Sequence, residues 1–479
     1  MGKVWPMNPV AFRSGPDGAY QPVAGIDQRQ TARARRAHGG QAQVARPAVW
    51  FWGRGMQSYE EQYLGDALAL GDKHPVIATI AIYSHTGIKL VNPGTRVNSA
   101  LYEKLVRHKL LPDIDQCLKV EGGVDAAHIA QCVKDLLVTN PRFERMTEAI
   151  PRDTILAAVY QAPLPAPLAF KLTMAREQRP QLFAHSIEVA LVAIYLQSMN
   201  GQRISDLALA ASAGLFHDIG ILHISPEILA PGKALSDAGR RYLYTHPITA
   251  HLIVREFQVL NPVVSTAILE HHERLDGSGY PHGAKAEKLS ELGKILMMAD
   301  SGAALLKSGK RAKHGVALRL LRRKFSPLLL AHLSRLFAPQ DEPPGEESAS
   351  DQDLALRQLA TLVDILLAWD NIYAELQDEH PESADDALLD LSNQRIVALE
   401  RSLLEAGLVA DQLEAFTSVS MQDEAGAQEM RELAREALWQ LKDITFEVHR
   451  RWTEAAQPDA VHQAIARWLK RADERLTAV

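Results

Sequence analysis

The sequence predicts a mainly α protein: an all-helical domain over residues 168–339, a small α+β module before it at 56–160, and a helical bundle after it at 352–479. Three observations carry this reading. Apolar residues recur at helical spacing from Leu168 to Phe337 and again beyond Leu354. A β-branched, apolar run over 76–83 is followed by the turn Thr86-Gly87 and a second short run over 88–91. Two proline-bearing breaks, at 161–167 and 340–351, separate the three parts.

Residues 1–55 are rich in Gly, Pro, Gln and Arg, with a basic cluster at Arg33, Arg35 and Arg36 and little apolar periodicity. A solvated, disordered tail is expected there. Ordered-looking sequence begins near Met56, which makes that residue an alternative start to Met1. From His74 onward the hairpin pattern is followed by a helix expected over 100–111, with Ser99 as its cap, and by helical segments over 124–139 and 153–160. The stretch QAPLPAP reads as a linker because proline removes a backbone donor and pushes the preceding residue away from helix. Leu182, Ile187, Val189, Ala190, Ala193, Ile194 and Leu196 line one helix, and 207–215 is apolar enough for a buried one. After the acidic linker QDEPPGEESASD, helical spacing returns over 354–376, 387–408, 425–452 and 460–476.

Bulk properties narrow the function class. A chain of 479 residues holds two to four domains, because single cores seldom grow past roughly 250–300 residues. The hydrophobic fraction of 47% and charged fraction of 23% are those of an ordinary folded protein, and a net charge of -6 argues against a binder of nucleic-acid polymers. Cys117 and Cys132 stand in no metal-like spacing and read as reduced thiols. Neither a signal-peptide pattern in the first 50 residues nor a membrane-spanning run is apparent, so a cytoplasmic protein without a membrane partner is expected.

Chemistry gathers between 185 and 300: His185, His217-Asp218, His246, His271-His272 and Asp300. Imidazole and carboxylate together suit Mn, Fe, Zn and similar divalent ions. The neighbours His217 and Asp218 cannot point the same way on a helix, since adjacent residues lie about 100° apart around its axis, so other helices must complete the site. Both FHDIG and MMAD set a carboxylate beside strongly apolar sequence, where an ionised group needs a cation or a full set of hydrogen bonds.

Over residues 170–339 these motifs, HS at 185–186, HDIG at 217–220, THP at 245–247, HHERLDGSGYP at 271–281 and MAD at 298–300, resemble the HD-GYP family of bacterial signalling phosphodiesterases. The resemblance implies an HD-type metal-dependent phosphohydrolase core acting on cyclic di-GMP, with pGpG or GMP as product. It implies one metal held by His185, His217, Asp218 and Asp300, and a second held by His246, His271 and His272 with Asp218 shared. Catalysis would centre on His217 and Asp218. Two divalent ions, Fe or Mn, about 3.5 to 4 Å apart would clamp the attacking and leaving oxygens at phosphorus. Gly277, Gly279, Tyr280 and Pro281 are expected to hold the non-reacting half of the ligand, and Lys310 and Arg311 its phosphates.

Two departures from the family pattern matter. HDIGI puts Ile221 where the family usually has a phosphate-contacting lysine, for which His223 or Lys233 are possible substitutes. The family's additional glutamate ligand is Gln181 here, which favours two metals over three. The alternative to an active hydrolase is therefore a weak or inactive module that senses the cyclic dinucleotide or engages other signalling proteins through its flanks. A general HD hydrolase of nucleoside triphosphates would leave the second histidine set and the GYP loop unexplained.

Overall fold

The computed structural model describes residues 12–14, 20–22, 55–201, 203–226, 228, 239, 242–307, 324–337, 349–380, 386–405, 424–451 and 459–477. The chain divides into two units, Met1–Gly53 and Arg54–Val479. In the first, β1 (Phe12–Ser14) pairs antiparallel with β2 (Tyr20–Pro22). The rest of the expected tail, with Arg33, Arg35 and Arg36, lies outside the described residues.

The second unit opens with α1 (Gly55–Lys73), which buries Tyr63, Leu64, Ala67, Leu68 and Leu70. The sequence pattern names no helix there, because Gly65 and Gly71 lower its intrinsic propensity. The expected strand over 76–83 divides into β3 (Val76–Ala78) and β4 (Ile82–Ser84), and β4 forms the expected hairpin with β5 (Lys89–Val91). The helix expected over 100–111 is corrected. A 3-10 turn, Ser99–Leu101, and α2 (Tyr102–Leu105) cover its first half, and β6 (Leu110–Leu111) joins the far edge of β4. Leu111 precedes Pro112, which disfavours helix, and Ser99 donates its hydroxyl to Asp72 (3.0 Å) instead of capping. After α3 (Ile114–Cys117), β7 (Leu118–Val120) pairs with β3.

Helices follow: α4 (Ala126–Thr139), α5 (Pro141–Glu144), α6 (Arg152–Gln161), α7 (Ala166–Gln178), α8 (Pro180–Ser198), α9 (Ile204–Phe216), α10 (His246–Val254), α11 (Pro262–Glu270), α12 (Glu291–Lys307) and α13 (Pro327–Ser334). Several begin on proline, whose missing N–H costs nothing at the first helical position. The break between α6 and α7 is confined to 162–165, and one buried apolar cluster runs through it from Tyr63 to Leu336. Arg142 and Arg145 of the α+β module donate to the carbonyls of Leu306 (2.9 Å) and Leu336 (3.2 Å). The stretch Ile204–His223 is long and apolar enough to cross a membrane, but 72% of it is buried in this core, which accounts for its composition.

The last four helices among the described residues, α14 (Ala349–Glu379), α15 (Ala387–Glu405), α16 (Glu424–Arg451) and α17 (Ala460–Thr477), fall where helical spacing places them. They enclose a second apolar cluster around Trp369 and Trp468, whose rings meet edge to face at 5.0 Å. Trp468 donates its indole N–H to the Ile365 carbonyl (3.1 Å).

Candidate metal centre

His185 projects from α8 and Asp300 from α12, while His217-Asp218 follows the end of α9, His246 opens α10, and His271-His272 follows α11. These elements bring seven predicted residues together in two adjoining groups. Ligand atoms of His185, His217 and Asp300 lie within 4.8 Å of one another, as do those of Asp218, His246, His271 and His272. Asp218 stands between the groups: Oδ2 is 3.3 Å from His217 Nε2, and Oδ1 is 3.1 Å from His246 Nε2 and 3.6 Å from His271 Nε2. Asp300 Oδ1 lies 3.0 Å from His185 Nε2 and 3.9 Å from His217 Nε2, and its Oδ2 is 3.8 Å from His272 Nδ1.

Backbone contacts set three of the imidazole tautomers. His217, His246 and His271 each place Nδ1 on the carbonyl three residues earlier, Gly214 (2.8 Å), Leu243 (2.5 Å) and Ile268 (2.6 Å). A carbonyl only accepts, so Nδ1 carries the proton and Nε2 presents a lone pair to the centre. The Nε2 atoms of His246 and His271 then face each other at 3.2 Å. His217 Nε2 and Asp218 Oδ1 are buried without a hydrogen-bond partner, close as their neighbours are. These converging lone pairs repel unless a proton or a metal cation sits among them, so the residues fit a metal ion.

Electrostatics agree. Burial, then the neighbouring His271 and His246, hold the His272 imidazole well below its usual value, and burial lowers His271 too. Burial disfavours charge on His217, but Asp218 and Asp300 outweigh it and raise that ring to about 9. Burial likewise opposes ionisation of Asp218, yet His217 and the facing imidazoles keep it well below the carboxylate range. A cluster that traps a proton in this way offers two carboxylates and several neutral nitrogens to a cation competing for the same place.

The sequence reading missed Glu188. It is buried one turn beyond His185 on α8, with Oε2 4.0 Å from His185 Nδ1, beside the candidate ligand but beyond hydrogen-bond range. Its three-residue spacing from His185 was the available signal. Gln181 is exposed.

The loop after His272 is held by Glu273, a buried carboxylate accepting from the amides of His282 (2.7 Å) and Ala284 (2.8 Å). Gly279 packs directly on it: a Cβ there would lie 2.3 Å from the Glu273 Cα. Tyr280 lies between two rings, His272 at 4.7 Å and Tyr244 at 4.0 Å, and joins Pro281 through a cis peptide bond. Gly277, in the left-handed region, has its carbonyl bound by Arg395 of α15 (2.5 Å), itself paired with Glu447 (3.0 Å). His223, one of the substitutes named for the absent lysine, stacks on Tyr63 at 4.2 Å, and its Nε2 lies 3.3 Å from Lys171 Nζ. Lys233, Lys310 and Arg311 lie outside the described residues.

A further group, Asp386, Asp459 and His462, sits at the starts of α15 and α17. Helix capping accounts for it: Asp386 accepts from the amides of Leu388 and Leu389, and Asp459 from that of His462.

Residues 168–325 match the family profile described as HD domain. The chain carries an HD domain. Curated relatives align over part of the chain. A cyclic di-GMP phosphodiesterase of Pseudomonas aeruginosa is 29% identical over 185 residues, 36% of this chain and 43% of that protein. A 3'3'-cGAMP-specific phosphodiesterase of Vibrio cholerae is 32% identical over 182 residues, 35% and 38% of the two chains. A cyclic di-GMP phosphodiesterase of Borreliella burgdorferi is 28% identical over 122 residues, 26% and 32%. The chain thus spans less than half the length of these relatives. HD-domain phosphohydrolases depend on metal, and the His/Asp cluster is able to bind it.

Proposed function

We propose that the HD domain, taken as residues 168–339, hydrolyses the phosphodiester of cyclic di-GMP to pGpG or GMP with two divalent ions, Fe or Mn. The observation that carries this reading is the pair of ligand groups meeting at Asp218. The names of the aligned relatives support the same substrate class. Such ions, when bound, neutralise phosphodiester charge and clamp the attacking and leaving oxygens of an in-line displacement.

His185, His217, Asp218 and Asp300 hold the first position, and His246, His271, His272 and Asp218 the second. The backbone tethers on His217, His246 and His271 aim their nitrogens before any ion arrives, which removes reorganisation from binding. Beside His272, the loop carrying Gly277, Gly279, Tyr280 and Pro281 takes the non-reacting half of the ligand, with Lys310 and Arg311 toward its phosphates. Free thiols at Cys117 and Cys132 suit a cytoplasmic setting, with the flanking modules open to other signalling proteins.

The test incubates the purified full chain with Mn(II) or Fe(II) and follows cyclic di-GMP and 3'3'-cGAMP by chromatography. Metal-dependent loss of substrate is expected. Binding without turnover would support the second reading, a nucleotide sensor, which Ile221 favours by removing a cation from the HDIG turn. Ile221→Lys then separates the two: a raised rate means the cation was limiting, and an unchanged rate means another group fills that role.

A further inference from the structure

We infer that Lys171 and Arg179 are positioning residues through which the N-terminal module holds the second metal position in place. The inference rests on the two-position reading above and adds what keeps those positions apart in behaviour.

The 3-10 turn Ile219–His223 follows Asp218 directly. Arg179 reaches across to it, donating from Nη1 to the Ile221 carbonyl (2.7 Å) and from Nη2 to the Ile224 carbonyl (2.8 Å), with Asp66 of α1 4.0 Å behind. Lys171 of α7 is almost wholly buried. Its ammonium donates to the Tyr63 hydroxyl of α1 (2.8 Å), pairs with Asp115 of α3 (2.9 Å) and meets His223 Nε2 (3.3 Å). Tyr63 also stacks on His223, 16° from parallel. The turn is thereby gripped at two carbonyls and one imidazole by groups anchored in α1, α3 and α7.

Its other side presses on α10. A Cβ at Gly220 would lie 2.2 Å from the His246 carbonyl, so there is no slack between turn and helix. A shift of the turn therefore displaces Asp218 at one end and His246 at the other. His246 belongs to the second position alone, and Asp218 is shared by both, so the second position loses the placement of two ligands and the first of one. His185 and Asp300, by contrast, take their places from α8 and α12. Burial of a lysine with a carboxylate is seldom stabilising in itself, because desolvation offsets the attraction, so a geometric role explains this network better than a contribution to stability.

The full chain is the test system and Mn(II) the probe, with equilibrium binding and electron paramagnetic resonance as readouts. The parent is expected to take two Mn(II) per chain with the signature of a coupled pair. Lys171→Met and Arg179→Gln are expected to weaken the second affinity by about 10- to 100-fold and the first by clearly less, the coupled signal giving way to an isolated one. Arg179→Lys should restore part of the loss. Tyr63→Phe, which keeps the stacked ring, should move the second affinity in the same direction by less, and it serves if the larger changes fail to fold. Folded variants that retain both parental affinities, or lose both equally, overturn the inference. A parent that takes a single ion overturns the two-position reading itself, and the inference with it.

Discussion

His185 and Asp300 project from within α8 and α12, whereas Asp218, His246, His271 and His272 all stand at helix ends or in the turns between helices. Ligands within a helix inherit their positions from helix packing, which the continuous buried cluster secures. Ligands at helix ends have no such frame, so each must be tethered. His246 and His271 are tied to backbone carbonyls, and the turn after Asp218 is tied to Arg179 and Lys171, which contact Asp66, Tyr63 and Asp115 of the α+β module. One half of the centre is a product of the HD domain's own core, and the other half draws on the rest of the chain.

Asp218→Ala strikes both halves at once and should give the largest effect. Metal content should fall below one ion per chain, and hydrolysis by on the order of a thousandfold; two ions retained would show that Asp218 is not shared. His272→Ala is narrower: elemental analysis should find one ion, with turnover lost. Glu188→Gln probes the other half, and should weaken the first position by about tenfold while sparing the second, as read by metal titration.

The smallest effect contrasts the metal centre with the C-terminal bundle. Asp218 is ionised by its imidazoles, but burial, aided by Asp370, pushes Glu400 up to about 7. A carboxyl whose folded value exceeds its unfolded one contributes stability that is complete below about pH 4.5 and is lost as pH rises through about 7. Glu400 is only half enclosed, so solvent screening reduces the effect to about 1 kcal/mol. Glu400→Gln should therefore melt higher than the parent at pH 8 and alike at pH 4.5 in thermal scans; an equal gain at both would place its origin elsewhere.

Local periodicity carried the helical architecture. The apolar spacing of α8, α9 and α14 through α17, and the β4–β5 hairpin, follow from patterns a few residues long. Where the sequence reading failed, Gly65 and Gly71 hid α1 and Pro112 cut short the helix expected over 100–111, while at the split of 76–83 a contact far along the chain decided, β3 pairing with β7 over its neighbour.

The sequence alone singled out the seven His and Asp residues that converge, because imidazoles and carboxylates set in apolar helices have few other uses, and their order within HHERLDGSGYP is specific. Only the tertiary structure decided that they form two groups meeting at Asp218, which nitrogen each ring presents, that Glu188 stands behind His185, and that Lys171, Arg179 and Arg395 reach in from other elements. Those are matters of distance and direction between segments up to a hundred or more residues apart, and spacing along a chain encodes them only through the packing of the whole core.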